Sequence, residues 1–569
     1  MLPGGGGSLL TLIKIMLQFN RLYNRLNCHS AQFSLKAKDY RGYEVTPRDV
    51  ALCDCTVSNI SRVRKKIPAP KREIRSSKEI EMEHKYLPTW NSLRTHRTPQ
   101  WLKDAKFGIY AHWGIYSVPA HGPNGTWYPH FMYREGSPQY EYHLKTFGHP
   151  SKFGYKDFIP MFTAEKFDPD EWAELFKNAG ARFAGPVGEH HDGFAMWDTR
   201  YSDWKATKMG PKRNVVKELE QAIRKQDMRF LVALHHAENW WYFPHWRHEF
   251  DTSEARYSGL YGQLHNQDWA QQKPVAKKVE KDWELQGDLQ DKPSKEFLDM
   301  WLSKTKEVID NFHPDVLYFD YGIRWIQEHY KREMVAYYYN QALERAQEVV
   351  LTYKWDHLVP GSGLIDLELG RFDTLTYHDW ITDTTVDDGR GWSYIPDTKF
   401  KPLSTLIHYL IDNVSKNGYL VLNVGPRPDG VIPDPAKELL TGIGKWLAVN
   451  GEAIYGTTPW MVYGEGPTQM TKAGYFMEDQ EVQYTSQDLR FTAKDDAIYV
   501  ICLGCPKEQL TIRSFRFLYP TEIRSINLLG ADTPVQWSLE SEGLKIQPPM
   551  LKPGEPAYVF KIVRSHPFE

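Results

Sequence analysis

The feature that most constrains this chain is a recurrence between residue 85 and residue 455. Short apolar runs, each closing on histidine, tryptophan or a carboxylate, alternate with amphipathic helical segments. The runs are "FGIYAHWG", "RFAGPVGEHH", "MRFLVALHHAENW", "DVLYFDYG" and "VVLTYKWD". Their length and their Phe, Tyr, Val and Ile content favour strands over buried helices. Between them, "DPDEWAELFKNAG" predicts a helix capped by Asp168, with Pro169 in its first turn, Trp172, Leu175, Phe176 and Ala179 on one face, and Gly180 at its end. "KEFLDMWLSKTKEVIDNF" gathers Phe297, Leu298, Trp301, Leu302, Val308 and Ile309 on one side of a second helix. Strand then helix, repeated with the polar groups at the strands' C-terminal ends, is the α/β pattern of a (β/α)8-like, TIM-type barrel. A doubly wound sheet alternates in the same way, but no Gly-rich phosphate loop follows these strands.

The rest of the chain has a different texture. Residues 1–84 mix Gly-rich, basic and polar pieces and end in "RKKIPAPKREIRSSKEIEMEHK", the composition of a poorly ordered N-terminal extension. The charged stretch 271–295 reads as a solvated loop or insertion. After "DPAKELLTGIGKWLAVNGEAIYG" the helical period gives way to alternation in "AIYVICLGC", "SFRFLYP" and "AYVFKIV". Residues 456–569 are therefore expected to form a C-terminal β-sandwich following a barrel over 85–455.

Charge narrows the classes of partner. With 70 Lys and Arg against 72 Asp and Glu, the chain lacks the positive field that nucleic-acid binding needs. No apolar run is long enough for a membrane span, and the short N-terminal "LLTLIKIMLQF" makes a poor secretory signal. Five cysteines, Cys28, Cys53, Cys55, Cys502 and Cys505, give no disulfide framework for the barrel, and the pair in "ICLGCP" is read as inert thiols in a strand. Asn59, Asn124 and Asn413 begin acceptor sequons that occur often by chance. Of 20 tryptophans, 18 lie between Trp90 and Trp446, so the aromatic surface that could stack on an apolar ring face belongs to the barrel.

The chemistry collects at the strand ends. His112, His190, His191, His235 and His236 all close apolar runs, beside Trp113, Trp197 and Trp240. Neutral imidazoles with indoles suit the hydroxyls of a sugar ring. A metal ion is not expected, because no His pair at i, i+4 accompanies a glutamate and no thiolate falls in the barrel. His190 and His191 would point to opposite faces of a regular strand. Asp320 follows directly on the run Val316 to Phe319, as a positioned carboxylate would. Glycoside hydrolysis uses two carboxyls; downstream, Asp356, Asp366, Glu368, Asp373, Asp379, Asp383, Asp387 and Asp388 crowd together, and composition does not nominate the second.

Three long motifs are more specific. "WLKDAKFGIYAHWGIYSVPA", "FTAEKFDPDEWAELFKNAGARFAGPVGEHHDGFAMWDTRYSDW" and "NVSKNGYLVLNVGPRPDGVIP" resemble the α-L-fucosidases of glycoside hydrolase family 29, over residues 88–460. The resemblance implies a retaining exo-glycosidase acting on fucosylated oligosaccharides or glycoconjugates without a cofactor, with Asp320 as nucleophile. It implies that His112, His190 and His191 bind fucose hydroxyls with Trp127 beside them, the strand loosening so that both adjacent histidines face inward. It further implies His235 as a polar contact, Trp392 as an aromatic wall and Glu368 as acid/base, with Asp366 the runner-up. A secreted, periplasmic or lysosomal setting is what the resemblance favours, and a homo-oligomer is compatible with the sequence. Two positions depart from the family pattern: Thr126 stands where many members have glutamate before the tryptophan of "GTWY", and Tyr321 where many have glycine after the nucleophile. Those departures keep open a fucose-binding protein without catalysis; a glycosidase for a related sugar such as an α-L-galactoside is a separate alternative.

Overall fold

The computed structural model describes residues 85–265, 292–388, 391–470, 472–478 and 482–565. The N-terminal extension, most of the charged stretch 271–295, Cys28, Cys53, Cys55 and Asn59 lie outside the described residues.

Eight parallel strands close into a barrel. They are β1 (Phe107–Ala111), β2 (Phe183–Glu189), β3 (Arg229–Leu234), β4 (Val316–Phe319), β5 (Val350–Lys354), β6 (Leu364–Asp366), β7 (Trp380–Thr385) and β8 (Gly418–Val424), with β8 returning to pair with β1 from Phe107↔Leu420 to Ala111↔Val424. Five of them are the runs read from the sequence. The other three were not marked as strands, and β7, "WITDTT", is buried throughout despite its polar composition. The barrel needs side chains on both faces of each strand, and period two supplies them. Tyr110, Phe183, Leu231, Val316, Tyr318, Ile381 and Val421 form the inner cluster, while Ile109, Ala184, Val232, Leu317 and Leu351 pack outward with the helices. At Gly185 a side chain would lie 1.6 Å from the Leu231 carbonyl, so only glycine lets β2 and β3 approach.

The outer ring is built from α1 (Pro169–Asn178), α2 (Val215–Lys225), α3 (Lys295–Phe312), α4 (Glu328–Glu344), α5 (Leu403–Ser415) and α6 (Asp434–Asn450). Asp168 caps α1 by accepting from the Asp170 and Glu171 amides, at 2.9 and 3.2 Å, a contact of about 1 kcal/mol. Gly180 follows at φ +92°. On α3 the apolar face holds as read and also carries charge: buried Lys304 pairs with Glu189 at 2.8 Å and fixes the end of β2 next to His190. The regular alternation fails at two successive connections. No helix lies between β5 and β6 or between β6 and β7, so the ring has a gap on that side.

The C-terminal strands form two antiparallel sheets. One runs in the order β13 (Ile523–Leu528), β16 (Tyr558–Arg564), β11 (Ala497–Cys502), β10 (Leu489–Lys494), β9 (Thr458–Glu465); the other is β12 (Leu510–Ile512), β15 (Gly543–Gln547), β14 (Gln536–Glu540). Phe491, Val500, Phe560, Leu544 and Ile546 fill the space between them. Tyr499, Ile501 and Val559, on the opposite face, join the barrel's core. "SFRFLYP" is not a strand as its alternation implied: Arg513–Phe515 is a short 3-10 turn that plugs Phe515 against Trp460 and leaves Phe517 exposed. Cys502 is buried and Cys505 half-buried, both free, and burial pushes the Cys502 thiol well up. Asn413 lies wholly buried in α5, which removes that sequon from consideration. Among the described residues no helix is long and apolar enough to cross a membrane.

The connection between β9 and β10 reaches back to the barrel through the gap in the helical ring. The Phe476 and Met477 amides donate to the Glu368 and Leu369 carbonyls at 2.9 and 2.7 Å, and Gly474 exchanges backbone bonds with Arg371. Glu478 pairs with Lys401 at 2.6 Å. A segment of the C-terminal region thereby stands where a β6–β7 helix is missing.

Candidate active site

The C-terminal ends of the strands gather four histidines. His112 follows β1, His190 and His191 follow β2, and His235 follows β3; all are buried. Their rings meet: His190 lies 4.2 Å from His191 and stacks on His235 at 4.8 Å, and His112 stands 5.1 Å from His235. Both members of the adjacent pair therefore turn into the same ring cluster, each against His235. The local reason is a register shift in the β2–β3 pairing between Val187 and Glu189, after which regular strand stops.

Burial, with neighbouring histidines adding, holds His112 and His190 well below the usual imidazole range, and burial lowers His191 to about 4. These three rings are thus neutral, each with one donor and one acceptor nitrogen. Asn423 of β8 binds His112 Nδ1 at 2.8 Å, and the His235 carbonyl binds His191 Nδ1 at 2.9 Å. His190 Nδ1 and His235 Nε2 are shielded from solvent and meet no partner among the described residues. Buried polar atoms left in this way are where a ligand's hydroxyls complete the hydrogen bonding.

The carboxyls are organised by a residue that sequence reading passed over. Lys354, the last residue of β5, is buried, and its ammonium lies 3.3 Å from Asp320, 3.0 Å from Asp366, 2.9 Å from Glu368 and 3.5 Å from Asp383. Asp320 also takes a 2.9 Å hydrogen bond from His235 Nδ1 and lies 3.5 Å from His191 Nε2. Burial alone would raise the Asp320 carboxyl, but Lys354 and His235 outweigh it and hold it well below the usual range. One cation does not neutralise four carboxylates. Burial, with the charges of Asp320 and Asp383 acting against Lys354, pushes Glu368 up to about 8; burial and Asp383 push Asp366 up to about 7. At neutral pH the site holds an ionised Asp320 and a protonated Glu368. Because oxygens of both contact the same ammonium nitrogen, at 3.3 and 2.9 Å, those oxygens are at most about 6 Å apart, a bound that admits the separation of about 5–5.5 Å that retaining glycosidases use. Asp366 is fully buried, taking the Tyr318 hydroxyl's hydrogen bond at 2.5 Å, whereas Glu368 keeps 9% of its surface open.

Glu238 was also missed. It lies three residues after His235 on a 3-10 turn, a spacing that stacks side chains on one side. Its Oε2 is 3.7 Å from His191 Nε2 and has no hydrogen-bond partner among the described residues. Burial, then the charges of Asp320 and Glu368, hold this carboxyl well above the usual range, so it is a neutral donor. Gly322, at φ +96°, leaves room for it: a side chain there would come within 2.4 Å of Glu238 Cγ.

The predicted aromatic residues divide. Trp127 is half-buried beside His191, centroids 5.4 Å apart, and Trp392 is half-buried 5.4 Å from His112. Trp113, read as part of the sugar pocket, is not in it. The extended backbone after His112 turns it to the other side, where it packs on Phe162, Phe167 and Trp172 and donates to the Arg427 carbonyl at 2.7 Å. Trp197 and Trp240 are likewise fully buried core, Trp197 donating to Glu307. His236 packs on Trp301 instead of joining the other four rings. Thr126 is buried, and its carbonyl accepts from Tyr242. Two triplets, His112–His190–His235 and His191–His235–Asp320, bring ligand atoms within 4.8 Å of one another and have the donor types to hold a cation; the same spacing serves neighbouring ring hydroxyls.

Comparison with known proteins agrees with this geometry. The profile of the family described as Alpha-L-fucosidase matches residues 74–452, and that of the Alpha-L-fucosidase C-terminal domain matches residues 480–563. The chain is 31% identical to the tissue α-L-fucosidase of Bos taurus over 492 residues, covering 84% of this chain and 91% of the relative. It is 32% identical to the plasma α-L-fucosidase of Homo sapiens over 483 residues, covering 82% and 88%. The crystal structure of Thermotoga maritima α-fucosidase in complex with fucose superposes with a TM-score of 0.66 at 30% identity, covering 84% of this chain and all of the other. The imidazole cluster, the carboxyl pair held across one lysine and these matches over both regions lead to one conclusion: this chain belongs to the α-L-fucosidase family of glycoside hydrolases.

Proposed function

We propose that the protein releases terminal α-L-fucosyl residues from glycans with retention of configuration, through a fucosyl ester on Asp320. The observation that carries this reading is the Lys354-centred pair, in which one carboxyl is kept ionised and the other kept protonated within reach of a single sugar. Asp320 attacks the anomeric carbon, the glycosidic bond's electrons pass to the leaving oxygen, and Glu368 gives that oxygen its proton. Forming the ester removes the negative charge of Asp320, one of the causes that raise Glu368. Glu368 then becomes the stronger acid, stays ionised and takes a proton from water as the hydroxyl attacks. Asp320 departs as carboxylate. His112, His190, His191 and His235 accept and donate to the ring hydroxyls, Glu238 donates to one of them or to His191, and Trp127 and Trp392 wall the sugar. General acid–base assistance of this kind contributes about 10²–10⁴-fold.

The test is Asp320→Gly. Turnover of an aryl α-L-fucoside should disappear and return with external azide, giving a fucosyl azide of inverted configuration. Undiminished hydrolysis by the variant would remove Asp320 from the role. An aryl α-L-galactoside assayed in parallel reads how far the pocket depends on the sugar's methyl group, and unchanged turnover after dialysis against a chelator is expected.

A further inference from the structure

Beside the carboxyl pair, on the side where the helical ring is open, three aromatic residues form a corner that the fucose-binding groups do not use. Tyr321 follows Asp320 directly, and Lys354 lies 5.3 Å from its ring centre. Trp355 follows Lys354 and meets Tyr321 edge-on at 5.7 Å, 89° between planes. Phe476 comes from the remote β9–β10 connection and lies nearly parallel to Tyr321, 13° between planes and 6.4 Å between centroids. Its position is set by the Phe476 amide bond to the Glu368 carbonyl. Tyr475 beside it fixes Trp355, whose amide donates to the Tyr475 hydroxyl at 2.5 Å.

Three properties set this corner apart from ordinary core. Trp355 is 44% exposed and Phe476 37% exposed, unlike the other tryptophans of the site region. Both sit at positive φ, +51° and +55°, a conformation that bulky side chains rarely adopt and that is held only where surroundings impose it. The Tyr321 hydroxyl is shielded from solvent and has no partner among the described residues. Residues 453–479, which carry Tyr475 and Phe476, fall in neither of the two matched family ranges.

We infer that Tyr321, Trp355 and Phe476 form the leaving-group subsite, in which the apolar face of a pyranose ring attached to fucose stacks on Trp355 and Phe476 and a ring hydroxyl bonds to Tyr321. This rests on the assignment of Asp320 and Glu368 as the bond-cleaving pair, since the group Glu368 protonates must lie on its side of the sugar. Two exposed aromatic rings, each set against Tyr321 and one of them edge-on to it, can grip a ring and give little to a small leaving group. Tyr321, standing where the resemblance implies glycine in many members, thereby acquires a use, and the C-terminal region takes part in selecting substrates.

The test compares two substrates that leave without protonation, 4-nitrophenyl α-L-fucoside and α-L-fucosyl fluoride, so that any displacement of Glu368 slows both alike. In Trp355→Ala and in Phe476→Ala the ratio of their kcat/KM values, ring over fluoride, should fall about five- to tenfold. A ratio within twofold of the wild type in both variants overturns the subsite. A second measurement uses calorimetry on Asp320→Asn with L-fucose and with an α-L-fucosyl-hexose disaccharide. The disaccharide should bind more tightly than fucose, and adding Trp355→Ala, an exposed position, should remove that advantage. An advantage that is absent from the parent, or that survives in the double variant, overturns the inference. A wild type inert toward fucosyl fluoride would overturn the hydrolase reading, and the binding measurement would still decide the subsite.

Discussion

Replacing Glu368 by glutamine separates the chemistry of the site from its cost in stability. Glu368 ordinarily titrates near 4.5 and is pushed up to about 8 in the fold. A group whose folded value is raised contributes stability that is fully present below its unfolded value and is lost as pH rises through the folded one. The window here runs from about pH 4.5 to about 8. At about 1.4 kcal/mol per unit, the full shift corresponds to an upper limit of about 5 kcal/mol. Asp366 shares Lys354 and titrates near 7, so the protons leave the pair together, and about half of that limit, 2–3 kcal/mol, is a reasonable share for Glu368. Glutamine keeps the shape and carries no charge at any pH. Denaturant unfolding at pH 5 and pH 9 should therefore show Glu368→Gln within about 1 kcal/mol of wild type at the lower pH and 2–3 kcal/mol more stable at the higher. The same variant should hydrolyse a fucosyl disaccharide about 10²–10⁴-fold more slowly while fucosyl fluoride is much less affected. If wild type and variant lose the same stability between pH 5 and pH 9, the proton is not held on Glu368, and the division of roles with Asp320 fails.

Three further outcomes are expected. The pH profile of kcat/KM should fall as pH rises through about 8, where Glu368 loses its proton, and should show no acid limb from Asp320 down to its ordinary value of 3.8, because that carboxyl is held well below it. Lys354→Met should abolish activity and destabilise the protein at neutral pH by about 3–5 kcal/mol, with part of the loss recovered in acid as the stranded carboxyls take up protons; thermal unfolding at pH 5 and pH 7 reads this. Trp113→Ala should lower stability by about 3–5 kcal/mol with KM for a fucoside little changed, whereas Trp127→Ala should raise KM at smaller cost to the fold; reversed effects would return Trp113 to the pocket.

Local rules made much of this molecule legible before any coordinates. Asp168, Pro169 and Gly180 delimit α1 because caps and first-turn proline act over four or five residues. Apolar runs ending in histidine mark strands entering a polar rim because period two is written in the chain. Asp320 and the paired histidines stood out for the same reason. β7 did not, since a strand lined with threonine and aspartate has no apolar signature; its burial follows from neighbours on both sides.

What the linear chain leaves undetermined is convergence and charge state. Trp113 and His112 are adjacent in sequence but serve opposite sides of one strand end, and only barrel closure says which side holds the pocket. Phe476 lies more than a hundred residues from Glu368 and reaches it because the ring of helices is open there. Glu368, Asp366 and Asp320 are chemically alike as letters. Their charge states differ because burial raises all three, while proximity to one lysine and to His235 lowers them unequally. Desolvation and distance are properties of the assembled barrel, and they set the charge states on which the proposed division between attacking carboxylate and proton donor rests.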